Sequence, residues 1–385
     1  MNRLAPLVVL LALFGAWAWS PGSLIARAHN DFLAFYCGGR LAGTGHLYDA
    51  NATLALHQEV VGEKIGPLLF IRLPFYALLF KPLSMLPYLA AFWVWTAVNL
   101  ASIGLFAWRM APRAPDLPYL CAFSVPLLCG LANGQDVPLL LGLLTLAWTR
   151  LERGDDVSGG AILALCSIKL HLMLPLYGML ALMGRWRALM GLAAAGLGLA
   201  AVSFGVEGWD WPRQYLAMIA RPGVHQDPAS MGNLVGMLAS LGLDSPWVDA
   251  LLHISVLGLL SCGRGLAAGS VVAMALAAGL LVGRHSYLQD FALLLPAYAL
   301  AAPHIPSIPM RVVCQLMVAP FLYLILLSGP PWSALPPAAV LAVLASAALF
   351  RRAHAASTTP PSGETGPVSS TSRNPLVPSP RERSA

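Results

Sequence analysis

Few residues of this 385-residue chain could do chemistry, because only 10% are charged and 58% are hydrophobic. The first is Asp31, which opens the stretch DFLAFYCGGRLAGTGHLYD. A carboxylate at the edge of an apolar segment can take a proton from a substrate hydroxyl and so act as a general base. The alternative is that Asp31 or Asn30 caps the first turn of a helix. Tyr36, which follows at near-helical spacing, is a candidate substrate contact.

Two cations interrupt apolar stretches further along the chain. Lys169 lies in SIKLHLMLP, and Arg72 lies in a proline-interrupted stretch over residues 67–93. A buried lysine without a partner loses its proton or destabilises the protein, and a bound phosphate would resolve this. Lys169 is therefore predicted to bind phosphate. Arg72 either reaches the lipid headgroups from the interface or lines a cavity beside a half-helix.

Two more polar clusters lie between apolar segments, LANGQDVPLLLG at 131–142 and the start of GRHSYLQDFALLLPAYAL at 283–300. Each also has a purely structural interpretation, a polar turn for the first and a capped helix start for the second. Asp136 is interpreted as part of that turn. The candidate substrate or phosphate contacts from these clusters are Gln135, Arg284, His285 and Asp290.

The composition restricts the class of protein that could position these side chains. A soluble domain of this size could not bury so many apolar residues, so a cytosolic enzyme, a secreted disulfide scaffold and a nucleic-acid-binding domain are excluded. The formal net charge of +6 is typical of a membrane protein with Lys and Arg in its cytoplasmic loops. The sequence has no phosphate-binding P-loop, no nucleophile elbow and no Cys/His metal array. No metal or cofactor is predicted.

Apolar segments recur along the whole chain and predict an all-α integral membrane protein of about twelve transmembrane helices. The predicted segments are 4–24, 87–108, 117–133, 135–150, 157–169, 171–184, 187–206, 247–262, 266–283, 286–301, 309–328 and 335–350. The pair 157–184 could instead be one long broken helix. Arginines at alternate loops place both termini in the cytoplasm and leave two long outer connections, 25–86 and 207–246. Short interfacial helices are expected in the first of these.

The predicted domain organisation is one transmembrane domain over residues 1–352 and a tail over residues 353–385. The tail is rich in Ser, Thr and Pro and lacks aromatic residues, so it is predicted to be a disordered cytoplasmic segment. The outer loops also carry cations, which either lie at the lipid interface or line a site for an anionic headgroup. These cations are Arg27, Arg40, Lys64, Arg72, Lys81, Arg213, Arg221 and Arg284.

The order of these motifs resembles that of a known family. The chain resembles glycosyltransferase family 87, of the GT-C type, over roughly residues 29–300. The family includes mannosyltransferases of bacterial envelopes that depend on polyprenyl-phosphate mannose. The resemblance is carried by DFLAFYCGGRLAGTGHLYD, IRLPFYALLFKPLSMLPY, NGQDVPLLLGLL, SIKLHLMLPLY with GRWRAL, and HSYLQDFALLLP.

The resemblance implies an inverting glycosyl transfer from a polyprenyl-phosphate-linked sugar, mannose or another hexose, on the outer face of the cell membrane. The acidic residue of the first outer loop, here Asp31, would be the general base. Polyprenyl phosphate would leave next to protein cations, for which charge and position suggest Arg72, Lys169, His285 and Arg284. The expected partners are the lipid-linked donor, a lipid or glycan acceptor and membrane lipids, with no nucleic acid. The alternative is a polytopic transporter or lipid-linked-sugar flippase.

Overall fold

The computed structural model describes residues 5–18, 25, 27–62, 68–221, 224, 227–261, 263 and 266–358. The described residues are helical, with short 3-10 turns and no strand. The helices are α1 (Ala5–Ala18), α2 (Phe32–Leu41), α3 (Ala50–Val61), α4 (Pro74–Phe80), α5 (Tyr88–Met110), α6 (Leu117–Ala122), α7 (Val125–Ala132), α8 (Val137–Glu152), α9 (Asp156–Leu165), α10 (Leu170–Leu182), α11 (Trp186–Glu207), α12 (Trp211–Ile219), α13 (Leu234–Ser240), α14 (Pro246–Ser261), α15 (Ala268–Val282), α16 (Leu294–Ala301), α17 (Ile308–Val318), α18 (Leu322–Leu327) and α19 (Leu335–Thr358).

Four helical stretches of the described residues are long and apolar enough to cross a membrane. They are Tyr88–Met110, Asp156–Leu182, Trp186–Glu207 and Trp332–Leu349. A fifth candidate is the pair α7 and α8, whose axes are bent by 116° at the break between them. The prediction of an all-helical fold is confirmed for the described residues, and their long apolar helices are consistent with a membrane protein. The predicted count of twelve spans is not confirmed.

The stretch Asp156–Leu182 qualifies by length and composition, yet its two helices fold back on each other. The hydroxyl of Tyr177 donates to the carbonyl of Leu163 at 2.8 Å, fourteen residues earlier. In a straight α-helix that separation along the axis would be about 21 Å. At the opposite end Arg185, just after α10, forms an ion pair with Asp156 at the start of α9. The chain therefore reverses at the 3-10 turn Cys166–Lys169, and Lys169 lies at the tip of a helical hairpin.

Three other predicted spans are shorter in the structure than a membrane-spanning helix, for identifiable reasons. Segment 117–133 is divided into α6 and α7 by a break at Phe123 and Ser124. Segment 309–328 is divided between α17 and α18 at Pro320. Segment 286–301 becomes a 3-10 turn followed by α16, and α16 is buried on every side by protein. Prolines and close helix packing thus divide apolar runs that hydropathy alone would count as spans.

The ends of the predicted segments also differ from the structure in places. Helix α2 belongs to the first outer connection but is buried over almost its whole length, so it is a core element and not an interfacial helix. Helix α19 continues to Thr358, beyond the predicted start of the tail at 353. Residues 359–385 lie outside the described residues, as do residue 4 and residues 19–24 of the first predicted segment.

Exposed tryptophans lie at the two ends of the span-length helices. Trp108 near the end of α5 and Trp186 at the start of α11 are about 60% exposed, beside arginine-bearing turns. Trp209, which follows the other end of α11, is 86% exposed. Tryptophan is enriched at both membrane–water interfaces, so this arrangement fits a helix that crosses the bilayer.

Helices α9 and α11 pack with almost no space between their backbones. A Cβ atom added to Gly160 of α9 would overlap the carbonyl of Ala188 in α11. Small residues permit this approach between helices in a membrane, where van der Waals contact replaces the hydrophobic effect as the main attraction.

Replacing Gly160 by Leu should therefore separate α9 from α11 and lower the melting temperature in detergent, with an overpacking cost of about 1–3 kcal/mol or more. The matched control is Gly198→Leu on the exposed side of α11, where an added Cβ meets nothing within 4 Å. Thermal unfolding of the two purified variants checks the contact, and equal melting temperatures would contradict it.

Candidate functional site

The site is built around a polar turn, residues 133–136, between α7 and α8. Trp95 Nε1 of α5 donates to the carbonyl of Gly134 at 2.8 Å, and Asn99 Nδ2 donates to that of Gln135 at 3.1 Å. The carbonyl of Asn133 accepts from the backbone N–H of Phe32 at 2.9 Å. Asn99 is the middle residue of the 23-residue α5, so the turn lies halfway along a span-length helix.

Gly134 is required at this turn for two reasons. Its φ is +61°, a left-handed conformation that side chains with a Cβ rarely adopt. A Cβ here would also lie 2.6 Å from the Cβ of Phe32. The absence of a side chain lets the start of α2 pack directly against the turn.

Four charged side chains form a buried network beside the turn. Asp136 is fully buried, and its Oδ2 pairs with Arg72 Nε at 3.0 Å. Its Oδ1 lies 3.3 Å from Lys169 Nζ at the tip of the α9–α10 hairpin. Lys169 Nζ also pairs with Asp290 Oδ1 at 2.8 Å, and Asp290 is fully buried as well. The other oxygen of Asp290 accepts the backbone N–H of Tyr287 at 2.9 Å.

The network corrects the sequence-based argument for Lys169. From the sequence alone, Lys169 is a buried cation that a ligand phosphate would balance. In the structure the two cations Arg72 and Lys169 are balanced by Asp136 and Asp290. The site would therefore offer a phosphate oriented N–H donors, but it would not offer a net positive charge.

Asp31 lies next to this network and does not cap a helix through its side chain. It precedes α2, but its carboxylate makes no hydrogen bond to that helix. Its Oδ2 accepts instead from Gln135 Nε2 at 2.7 Å. Burial raises the pKa of the Asp31 carboxyl above its ordinary value, against the opposing effects of the Gln135 hydrogen bond and of Lys169 and Arg72. The Asp31 side chain therefore does not act as an N-cap of α2.

The side chains Asp31, Arg72, Gln135 and Lys169 border one open cavity of about 550 Å³. This volume is within the range of small-molecule sites, about 300–1,000 Å³. Arg72 is 11% exposed and its contact with Asp136 uses Nε, so its two Nη groups are not engaged by that carboxylate. The remaining lining residues are Ala34, Phe35, Leu68, Leu69, Ile71, Asn133, Val224, Tyr287 and Gln289.

The structure places four other predicted site residues away from the cavity lining. Asp290 forms an ion pair with Lys169 but does not itself line the cavity. The Tyr36 hydroxyl donates to the carbonyl of Leu86 at 2.8 Å and ties α2 to the start of α5. The carbonyl of His285 accepts from His171 Nε2 at 2.9 Å, outside the described lining. Arg284 is 42% exposed and forms ion pairs with two carboxylates, those of Asp244 and Asp249.

Asp136 is the central residue that sequence reasoning missed. From the sequence it is interpreted as part of a polar turn, yet in the structure it pairs with both cations of the cavity. The available signal was a balance of charge: Arg72 and Lys169 are cations in apolar segments, and a buried cation requires a carboxylate. The described residues contain no group of three or more His, Cys, Asp or Glu side chains that could hold a metal ion.

Comparison with known families decides the class of protein. The sequence model of glycosyltransferase family 87 matches residues 70–266, just over half of the chain. The chain belongs to glycosyltransferase family 87. It is a membrane glycosyltransferase of the GT-C type. No curated protein and no solved structure matches the chain.

The match to family 87 covers part of the site. Arg72, Gln135, Asp136 and Lys169 fall within it, whereas Asp31 and Asp290 lie outside. Asp31 is assigned to the site by its position beside the cavity and by its contact with Gln135.

Asp136→Asn should leave Arg72 and Lys169 with one carboxylate between them. Loss of one partner from a buried ion pair destabilises a protein by about 3–5 kcal/mol. The double variant Asp136→Asn with Arg72→Gln removes one cation as well and keeps the Lys169–Asp290 pair, so it should be more stable than the single variant.

Thermal unfolding in one detergent measures both variants. The matched control is Asp244→Asn, which breaks an exposed ion pair with Arg284 and should lower stability by about 1 kcal/mol or less. A double variant less stable than Asp136→Asn alone would contradict the charge-balance account.

Proposed function

We propose that this family 87 enzyme transfers a sugar, mannose or another hexose, from a polyprenyl-phosphate donor to a hydroxyl of a lipid or glycan acceptor. The observation that carries the proposal is the placement of one carboxylate, Asp31, and two cations, Arg72 and Lys169, around a single cavity. A carboxylate can accept the proton of the attacking hydroxyl, and cations can stabilise a departing phosphate.

Asp31 is the proposed general base. It removes the proton of the acceptor hydroxyl, whose oxygen forms a bond to the anomeric carbon while the bond from that carbon to the phosphate oxygen breaks. Attack from the face opposite the phosphate inverts the anomeric configuration. One base is sufficient because the phosphate leaves with the bonding electron pair and needs no proton.

Arg72 and Lys169 are the proposed phosphate ligands. Both line the cavity, and both are held by carboxylates that lie on the protein side. The Arg72 guanidinium can present its Nη groups to two phosphate oxygens, the geometry in which arginine binds phosphate best. The ion pairs fix both cations before the donor arrives, so little reorganisation is needed.

The enzyme is proposed to act at the cell membrane, with the cavity open to the periplasmic or extracellular side and both termini in the cytoplasm. The arginine-rich end of the helices supports this orientation, since Arg113 and Arg185 form their ion pairs with Glu152 and Asp156 there. The apolar wall of the cavity, which includes Leu68 and Ile71, suits the first units of a polyprenyl chain. No cofactor is included in the proposal.

The proposal is tested first by a panel of labelled polyprenyl-phosphate sugars. Purified protein in detergent is incubated with each donor and with a membrane lipid extract, and transfer of label to lipid or water is measured. Label transfer from at least one donor is expected. Failure of every donor, alongside transfer from a nucleotide sugar, would contradict the donor class.

Asp31→Asn keeps the shape of the side chain and removes the proton acceptor. Transfer should fall by at least about 100-fold, because general-base catalysis contributes about 10²–10⁴-fold. Donor affinity should persist, since the phosphate is bound by other residues. The matched control is Asp49→Asn, because Asp49 caps α3 through the N–H of Asn51 and asparagine caps equally well. Near-normal turnover of Asp31→Asn would refute the mechanism.

The pH dependence of transfer should report the same group. Asp31 must be ionised to accept a proton, and burial raises the pKa of its carboxyl above 3.8. Activity should therefore be lost as the pH falls through this raised pKa. The acid limb of the pH profile, where activity falls toward low pH, should lie above pH 3.8. A profile that stays flat down to pH about 4, the ordinary range of an aspartate, would show that Asp31 is not the base.

A further inference from the structure

We propose that Gln135 is the positioning residue for the base, and that its side-chain amide fixes the orientation of the Asp31 carboxylate toward the acceptor hydroxyl. This inference rests on the proposed function, because it requires Asp31 to accept the proton. It assigns to Gln135 a role toward the base in place of the substrate contact predicted from the sequence.

The contact itself is short and directional. Gln135 Nε2 donates to Asp31 Oδ2 at 2.7 Å, and the described residues provide no other side-chain donor to this carboxylate. The hydrogen bond occupies one carboxylate oxygen and leaves Oδ1 for the incoming hydroxyl. A carboxylate held on one side by a neutral donor keeps its basicity better than one held by a cation.

The backbone of Gln135 is fixed on both sides, so its side chain starts from a set position. Its N–H donates to the carbonyl of Gly130 at 2.8 Å, and its own carbonyl accepts from Asn99 Nδ2 at 3.1 Å. Asn99 is fully buried, and Gln135 is only 8% exposed. The Gln135 side-chain amide therefore has a defined position in the cavity wall, because the Gln135 backbone is bound to the middle of α5.

The electrostatic surroundings of Asp31 agree with this role. Burial is the largest influence on the pKa of Asp31 and raises it, and the Gln135 hydrogen bond is the largest influence that lowers it. The other charged groups that act on Asp31 are Lys169, Arg72 and Asp136. Tyr88 of α5 also faces this region, and its hydroxyl donates to Asn30 Oδ1 at 2.7 Å. Loss of the Gln135 amide should consequently shift the titration of Asp31 upward.

The test is the pH profile of kcat for sugar transfer from the polyprenyl-phosphate hexose that the donor panel selects. Gln135→Leu removes the donor at similar volume. Its acid limb should move up by about one pH unit, because a hydrogen bond to a charged group is lost. Its kcat on the plateau should fall by about 10- to 100-fold through misorientation, with little change in the donor KM.

Gln135→Glu serves as a second, isosteric variant in case the leucine disturbs folding. It places a carboxyl group against Asp31, and two carboxylates in contact cannot both ionise easily, so the acid limb should move up further. The matched control is Gln289→Leu, which removes an amide from the same cavity without a contact to Asp31. The position of its acid limb should be that of the wild type.

The outcomes separate this inference from the proposed function. If Asp31→Asn abolishes transfer but the acid limb stays in place in both Gln135 variants, the positioning role is overturned and the base stands. A rise of the donor KM without a shift of the acid limb would likewise overturn it, by showing a substrate contact. If Asp31→Asn transfers sugar at a near-normal rate, the base role of Asp31 in the proposed function fails.

Discussion

The buried carboxylate of Asp136, held between Arg72 and Lys169, is the interaction on which the rest of the site depends. Asp136 is fully buried and belongs to the turn that is bound to the middle of α5. A charge at such a depth must be paired or it destabilises the protein. The pairing brings together three parts of the chain that are distant in sequence: the segment before α4, the turn before α8 and the tip of the α9–α10 hairpin.

The same constraint explains why the backbone is irregular here. A polar turn and a helical hairpin with its tip at half-depth are tolerated in a membrane only where they are covered by protein or line a cavity. Trp95 and Asn99 bind the carbonyls of the turn, so its backbone groups are not left without partners. The cavity is then lined by groups that are already oriented before any substrate arrives. The four network charges sum to zero, so the site has no net positive charge to attract a phosphate. Catalysis would therefore depend on the orientation of these groups.

The sequence predicted the helical membrane class and the family from apolar segments and from the order of five motifs. It also identified Asp31, Arg72, Gln135 and Lys169, which the structure brings to one cavity. It did not predict that Tyr177 bonds to Leu163, because hydropathy cannot distinguish a hairpin from a span. It missed Asp136 because one carboxylate in a polar turn has no signature until its cations are known. Arg284 was included for its charge, but Asp244 and Asp249 already engage it.

The central claim is that the donor phosphate binds between the two paired cations with the sugar beside Asp31. The most direct measurement is an electron cryomicroscopy structure with a non-transferable phosphonate analogue of the selected donor. The account predicts phosphonate oxygens within hydrogen-bond distance, about 3 Å, of both Arg72 and Lys169, with the anomeric carbon on the side of Asp31. A headgroup bound with neither cation in contact, or at the arginine-rich opposite end of the helices, would contradict it.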